Sequence, residues 1–144
     1  MIQITRIYSD KNDDSHFEDF EVPLKNNGDI GFLSDDIPVK SIVFRQVNPT
    51  YDYDFHNAPD RQYIVLLEGG VEIETSLGEK RSFETGSILL VEDTTGKGHK
   101  TKNIQLKYRK SIFIKTDVFN TLKNKTLKKS TKNYNTQGLH KYIK

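Results

Sequence analysis

The first two-thirds of the chain alternate apolar and polar residues with the period of two that marks half-buried strands. Ile2, Ile4 and the Ile7-Tyr8 pair read as a first strand, followed by a polar loop from Ser9 to Ser15. Phe17, Phe20, Val22 and Leu24 read as an extended segment resting on a core. Asn26-Asn27-Gly28-Asp29 reads as a turn, because Asn and Gly tolerate positive φ. Ser41 to Val47 (SIVFRQV) is a short β-rich run, and Gln62 to Leu67 (QYIVLL) is a strand stopped by Glu68-Gly69-Gly70. Val71 to Thr75 alternates strictly, and Ser76-Leu77-Gly78-Glu79 supplies a hairpin turn into Arg81 to Phe83. Ser87 to Val91 (SILLV) has the continuous apolar character of a buried strand. Thr94 to Gly98 is a glycine-bearing loop, and alternation resumes from Ile104 to Ile114. Short strands with turn signals about every 8–12 residues predict an all-β sandwich or barrel.

The pattern changes after Lys115. Asp117 to Lys129 places Val118, Phe119 and Leu122 at helical spacing, with lysines gathered toward the C-terminal end where they suit the helix dipole. A short helix is expected there, and a polar, disordered stretch over residues 130–144. The domain reading is therefore a β-barrel over residues 1–115 and a basic extension over residues 116–144.

Charge sharpens this division. Up to Gly96 there are 8 Lys and Arg against 19 Asp and Glu, a net of −11; from Lys97 onward there are 14 against 1, a net of +13. An acidic body with a basic last third has three uses for the basic part: to fold onto the body, to pair with a neighbouring copy, or to hold a polyanion. Lys123, Lys125, Lys128, Lys129 and Lys132, with Tyr134 and Tyr142, are the residues a nucleic acid would meet. Arginine, which does most specific base reading, is confined there to Arg109. Cys is absent, which removes disulfides, thiolate nucleophiles and Cys-ligated metals together. No apolar run approaches the ~18 residues of a membrane span, and the start shows no signal-peptide pattern. A cytoplasmic protein with no membrane partner is expected.

The segment from His56 to Asn103 resembles the cupin superfamily, whose fold is the double-stranded β-helix, a jelly-roll barrel. The family's first motif is G-x5-H-x-H-x3,4-E-x6-G. Here His56 stands at the first His, Ala58 at the second, Gln62 at the Glu position and Gly69 at the closing Gly, with Thr50 at the opening Gly. The second motif, G-x5-P-x-G-x2-H-x3-N, is met by Gly86 and by His99 through Asn103, with a Glu92–Gly98 loop two residues longer than the family's. The phrases HNAPDRQYIVLLEGG and EDTTGKGH are similar to a subgroup of small single-domain cupins to which no activity attaches.

The resemblance implies that His56, Gln62 and His99 converge inside the barrel. Three readings follow for them. They hold one divalent metal, completed by waters or by Glu92 or Asp93 of the long loop. They line a metal-free pocket for a small molecule, with Arg61 available to a carboxylate or phosphate if it faces inward. Or they are hydrogen-bonded core residues. A binding role leads. The alternative is an enzyme, a metal-dependent or His acid–base isomerase, epimerase or oxygenase, with His56 or His99 as base and Asp93 orienting an imidazole or acting as acid. Strict alternation puts Tyr51, Tyr53 and Phe55 on one face of their segment and Asp52, Asp54 and His56 on the other, so only one set is expected to face the cavity. A homodimer is also expected, since exposed β edges are commonly buried against a second copy. A phosphate-binding loop in TTGKGHKT is excluded, because Val91 and Gly98 occupy the places of its first Gly and its hydroxyl residue.

Overall fold

The computed structural model describes residues 1–118, and among them there is no α-helix. In chain order the strands are β1 (Ile2–Ser9), β2 (Ser15–Val22), β3 (Lys25–Asn26), β4 (Phe32–Leu33), β5 (Ser41–Val47), β6 (Asp52–His56), β7 (Gln62–Glu68), β8 (Val71–Thr75), β9 (Lys80–Phe83), β10 (Ile88–Val91), β11 (His99–Asn103) and β12 (Arg109–Lys115). A single 3₁₀ turn, Gly28–Ile30, sits between β3 and β4. The helix expected over 117–129 falls almost wholly outside the described residues, as do residues 130–144.

The strands form a six-stranded sheet, ordered β2-β1-β10-β7-β12-β5, a four-stranded sheet, ordered β6-β11-β8-β9, and the small β3-β4 pair. Register explains why the two main sheets face each other. Gln62 and Ile64 of β7 lie opposite Val91 and Leu89 of β10, and Ile7 of β1 lies opposite Val91 on the other side. All of these project from one face. On the smaller sheet Val71, Ile73 and Thr75 are buried while Glu72 and Glu74 alternate outward. The facing sets meet in a core of Ile7, Phe17, Leu66, Leu89 and Val91 against Val71, Ile73, Phe83 and Ala58. This is the all-β, two-sheet arrangement expected of a jelly-roll barrel.

The larger sheet has a second apolar face, which a parallel or mixed central sheet requires. Ile4, Phe20, Val22 and Leu90 cluster there beneath Leu24 and Ile37 of the segment linking β2 to β5. The alternation from Ile104 to Ile114 reads as strand. Only its second half is. Asn103 Nδ2 donates to the carbonyl oxygens of Asn48 (3.0 Å) and Lys107 (3.2 Å), turning the chain sharply, and Ile104, Leu106 and Tyr108 are left exposed before β12 begins. Conversely, His99 to Asn103 was read only as a motif and is a full strand.

The basic last third folds back on the acidic body as far as it is described. Lys97 pairs with Asp14 at 2.9 Å, Lys102 with Glu72 at 3.6 Å, Lys110 with Glu68 at 3.6 Å and Lys115 with Asp60 at 3.0 Å. Such exposed pairs are each worth little. A buried network matters more: the fully buried Glu92 carboxylate accepts from Arg6 Nε of β1 through one oxygen and from Arg61 at 2.6 Å through the other, while Arg6 also reaches Glu18 of β2 at 2.9 Å. Removing the acid from such a network leaves buried guanidinium charge uncompensated, at a cost of about 3–5 kcal/mol. Glu92→Gln is therefore expected to lower the urea midpoint of unfolding strongly, whereas Glu68→Gln, at an exposed pair, leaves it nearly unchanged. Equal midpoints for the two variants would refute the assignment.

Candidate functional site

Between the two sheets lies a cavity of about 330 Å³. Its floor is aliphatic, from Ile64, Leu66, Val71, Ile73, Leu89 and Val91, and its polar groups gather at two ends. One end holds His56, Gln62 and His99; the other holds Arg45 and Arg109, with Tyr51 and Tyr53 between them.

The histidine end is assembled by β6, β7 and β11. His99 and His56 lie directly opposite each other across the β11–β6 pair, with ring centres 4.7 Å apart. His99 is buried, and its Nδ1 is 2.5 Å from Oδ2 of the buried Asp93. The Asp93 carboxylate accepts the Nδ1 proton, so in the neutral imidazole Nε2 is the acceptor. His56 Nδ1 lies 2.7 Å from the carbonyl oxygen of Asp54. A carbonyl only accepts, so Nδ1 donates and His56 likewise offers Nε2 as an acceptor. Gln62 is 2 % exposed, and its Oε1 has no hydrogen-bond partner. Three acceptors therefore converge at this end.

The loop that carries Asp93 to His99 is held by backbone geometry. Gly98 has φ +76°, and a Cβ there would collide with the His56 carbonyl group. Only glycine lets the loop pass this close to β6. Asn57 Nδ2 donates to the Gly96 carbonyl at 3.0 Å, and Ser15 Oγ to that of Gly98 at 2.7 Å.

Strict alternation fails in β6. His56 pairs with His99, but Tyr53 pairs with Thr101, so three residues along β6 match two along β11. This bulge shifts the phase by one residue. It brings Tyr51, Tyr53 and His56 to the same cavity, which the even spacing had excluded; their rings run in file, 6.2 Å from Tyr51 to Tyr53 and 4.4 Å from Tyr53 to His56.

Arg61 is placed elsewhere. Its alternation with Gln62 turns it away from the cavity and onto Glu92, so it is not available to a ligand beside His99. Glu92 is likewise spent on Arg6 and Arg61. The arginines that do face inward were not singled out from the sequence. Arg45 and Arg109 occupy inward positions of β5 and β12, in phase with Val43 and Val47 and with Ser111 and Phe113. A cation on the apolar phase of a strand was the available signal.

Both guanidinium centres lie 5.1 Å from the Tyr51 ring centre. Arg109 is 4 % exposed and donates through Nε to Asn103 Oδ1 at 2.8 Å. Burial, reinforced by the Arg45 charge, brings its pKa down to about 10, so it remains charged at neutral pH. Among the described residues no carboxylate pairs with either arginine within salt-bridge distance.

No protein-family model matches the chain, and no curated protein matches it. Among solved structures it is similar to protein NMB1881 from Neisseria meningitidis, at 12 % identity and a TM-score of 0.39, over 68 % of this chain and 84 % of that one.

The divalent metal that one reading places on His56, Gln62 and His99 would meet two imidazoles and a neutral carboxamide there. A two-His-one-carboxylate site needs a charged oxygen donor. The matched position is Gln62, Asp93 is engaged with His99 Nδ1, and Glu92 lies in its own network. Among the described residues no three His, Cys, Asp or Glu cluster to hold a cation.

His56 is held below its ordinary value of 6.5, first by burial and then by the neighbouring His99 and Arg45, against the opposing Asp54 carbonyl and Asp93 charge. Because the folded value is the lower one, the unfolded chain takes up the proton first. The His56 contribution to stability is present above about 6.5 and is lost as the pH falls through the folded value. An NMR titration of the imidazoles is expected to place the His56 midpoint below 6.5 and to move it upward in Arg45→Gln. A midpoint at or above 6.5 in the wild type refutes this picture of the cavity.

Proposed function

We propose that the protein is a cupin-type small-molecule-binding protein whose cavity, centred on His56, Gln62 and His99, can also carry out His-mediated proton transfer. The observation that carries this reading is the Asp93–His99 pair. Its short hydrogen bond, buried beside a cavity large enough for a metabolite-sized ligand, fixes one imidazole tautomer and directs a basic nitrogen at the occupant. His56 supplies a second imidazole beside it, on the neighbouring strand of the same sheet. Together they support moving a proton between adjacent positions of a bound carbonyl or sugar, with Asp93 as the group that positions His99.

A thermal-shift panel of sugars, nucleotide sugars and small carboxylates tests the binding function. At least one member is expected to raise the melting temperature of the wild type, with the gain reduced in His99→Asn and Gln62→Leu. Binding of a carbonyl ligand in deuterated water is expected to exchange its α-proton, with the rate falling about 10²-fold or more in His99→Asn and less in Asp93→Asn. No response across the panel, or a response indifferent to both variants, removes the reading.

The assembly we propose is a homodimer through the outer face of the larger sheet. There the edge strand β5 leaves Ile42 and Phe44 54 % and 74 % exposed, beside Ile112 and Ile114 of β12. Edge strands that stay single are usually blunted by charge or proline, and β5 has neither on this face between Ile42 and Phe44. Light scattering is expected to give twice the chain mass for the wild type and one chain mass for Phe44→Lys. A monomeric wild type overturns it.

A further inference from the structure

Arg45 and Arg109 are used by neither the acid–base pair nor the core. Both line the cavity, both stack near the one Tyr51 ring, and neither meets a carboxylate among the described residues. Burial of Arg109 carries a desolvation cost, and the Arg45 charge adds to it. The only polar partner of its Nε is a neutral amide, Asn103. An anion at this end of the cavity would offset both charges. The far end of the cavity has the opposite demand, since with both imidazoles neutral His56 Nε2 and His99 Nε2 are acceptors. Between the ends the wall is aliphatic and aromatic.

Resting on the small-molecule reading above, we propose that the ligand is a hydroxy acid or its enolisable equivalent: a carboxylate held by Arg45 and Arg109, an apolar body along Ile64, Leu66 and Ile73, and a hydroxyl or acidic C–H presented to His99 and His56. Charge-assisted fork geometry makes Arg the residue suited to a planar carboxylate. Tyr51 keeps both guanidiniums in place by offering its ring to them, and its hydroxyl is anchored on Thr101 Oγ1 at 3.0 Å. The unpaired cations also favour a neutral or anionic occupant over a metal cation in the same cavity.

The test is calorimetric titration of the full chain with lactate, mandelate and para-hydroxyphenylacetate, each against its uncharged amide. At least one acid is expected to bind the wild type about tenfold or more tightly than its amide. That preference is expected to vanish in Arg45→Gln, to weaken with added salt, and to survive partly in Arg109→Lys, which keeps the charge if the buried Arg109→Gln fails to fold. Acids and amides binding alike, or a preference that survives Arg45→Gln, overturns the proposal. No acid binding also overturns it. If an uncharged sugar still raises the melting temperature in a His99-dependent way, only the anion assignment falls; if nothing does, the small-molecule reading falls with it.

Discussion

The site depends on Glu92. Its buried carboxylate joins Arg6 of β1 to Arg61 before β7, and so fixes the end of β10 against two other parts of the barrel. The next residue is Asp93, whose side chain holds His99 and whose carbonyl accepts from the Ala58 amide at 3.2 Å. A buried ion network is rarely a large net source of stability, but it tolerates only one geometry. Here that rigidity is passed on through a single peptide unit to the residue that orients the imidazole. The loop then has to return to β11 close beside β6, which Gly98 permits.

Much of this architecture can be read from residue spacing. The alternation in Val71–Thr75 and the unbroken SILLV run place the inner walls correctly, because side-chain direction in a regular strand follows from parity alone. The convergence of His56, Gln62 and His99 came from motif spacing, and the structure does bring these three to one cavity. What parity cannot report is a bulge. The extra residue in β6 leaves no trace in composition, yet it decides whether Tyr53 and His56 share a face. The Ile104–Tyr108 stretch misleads for a related reason: its alternation is regular, but side-chain hydrogen bonds from Asn103 turn the backbone before a ladder can form.

The arginines show a different gap. Arg45 and Arg61 have similar local surroundings in the sequence, and nothing in either segment names a partner. Arg61 satisfies Glu92 at a distance of 31 positions, whereas Arg45 satisfies no acid among the described residues. Whether a charge is structural or functional is thus a property of what lies across the barrel. The basic last third behaves in the same way: Lys97, Lys102, Lys110 and Lys115 are matched by acidic residues placed far earlier in the chain, which offsets part of the asymmetry locally and leaves that part of the surface mixed in sign.

The β6 bulge has a consequence for how this molecule can change. Segments between strands usually tolerate gain or loss of residues, while substitutions within strands are judged by size and polarity. Between Tyr53 and His56 the odd spacing and the bulge depend on each other. Deleting Asp54 or Phe55 would remove the extra residue and set two steps along β6 against two along β11, so that Tyr53 and His56 would share the cavity face by ordinary parity. A single-codon deletion here would therefore regularise the strand and keep this wall of the cavity, whereas losing Asp52 would turn one of the two tyrosines away from it.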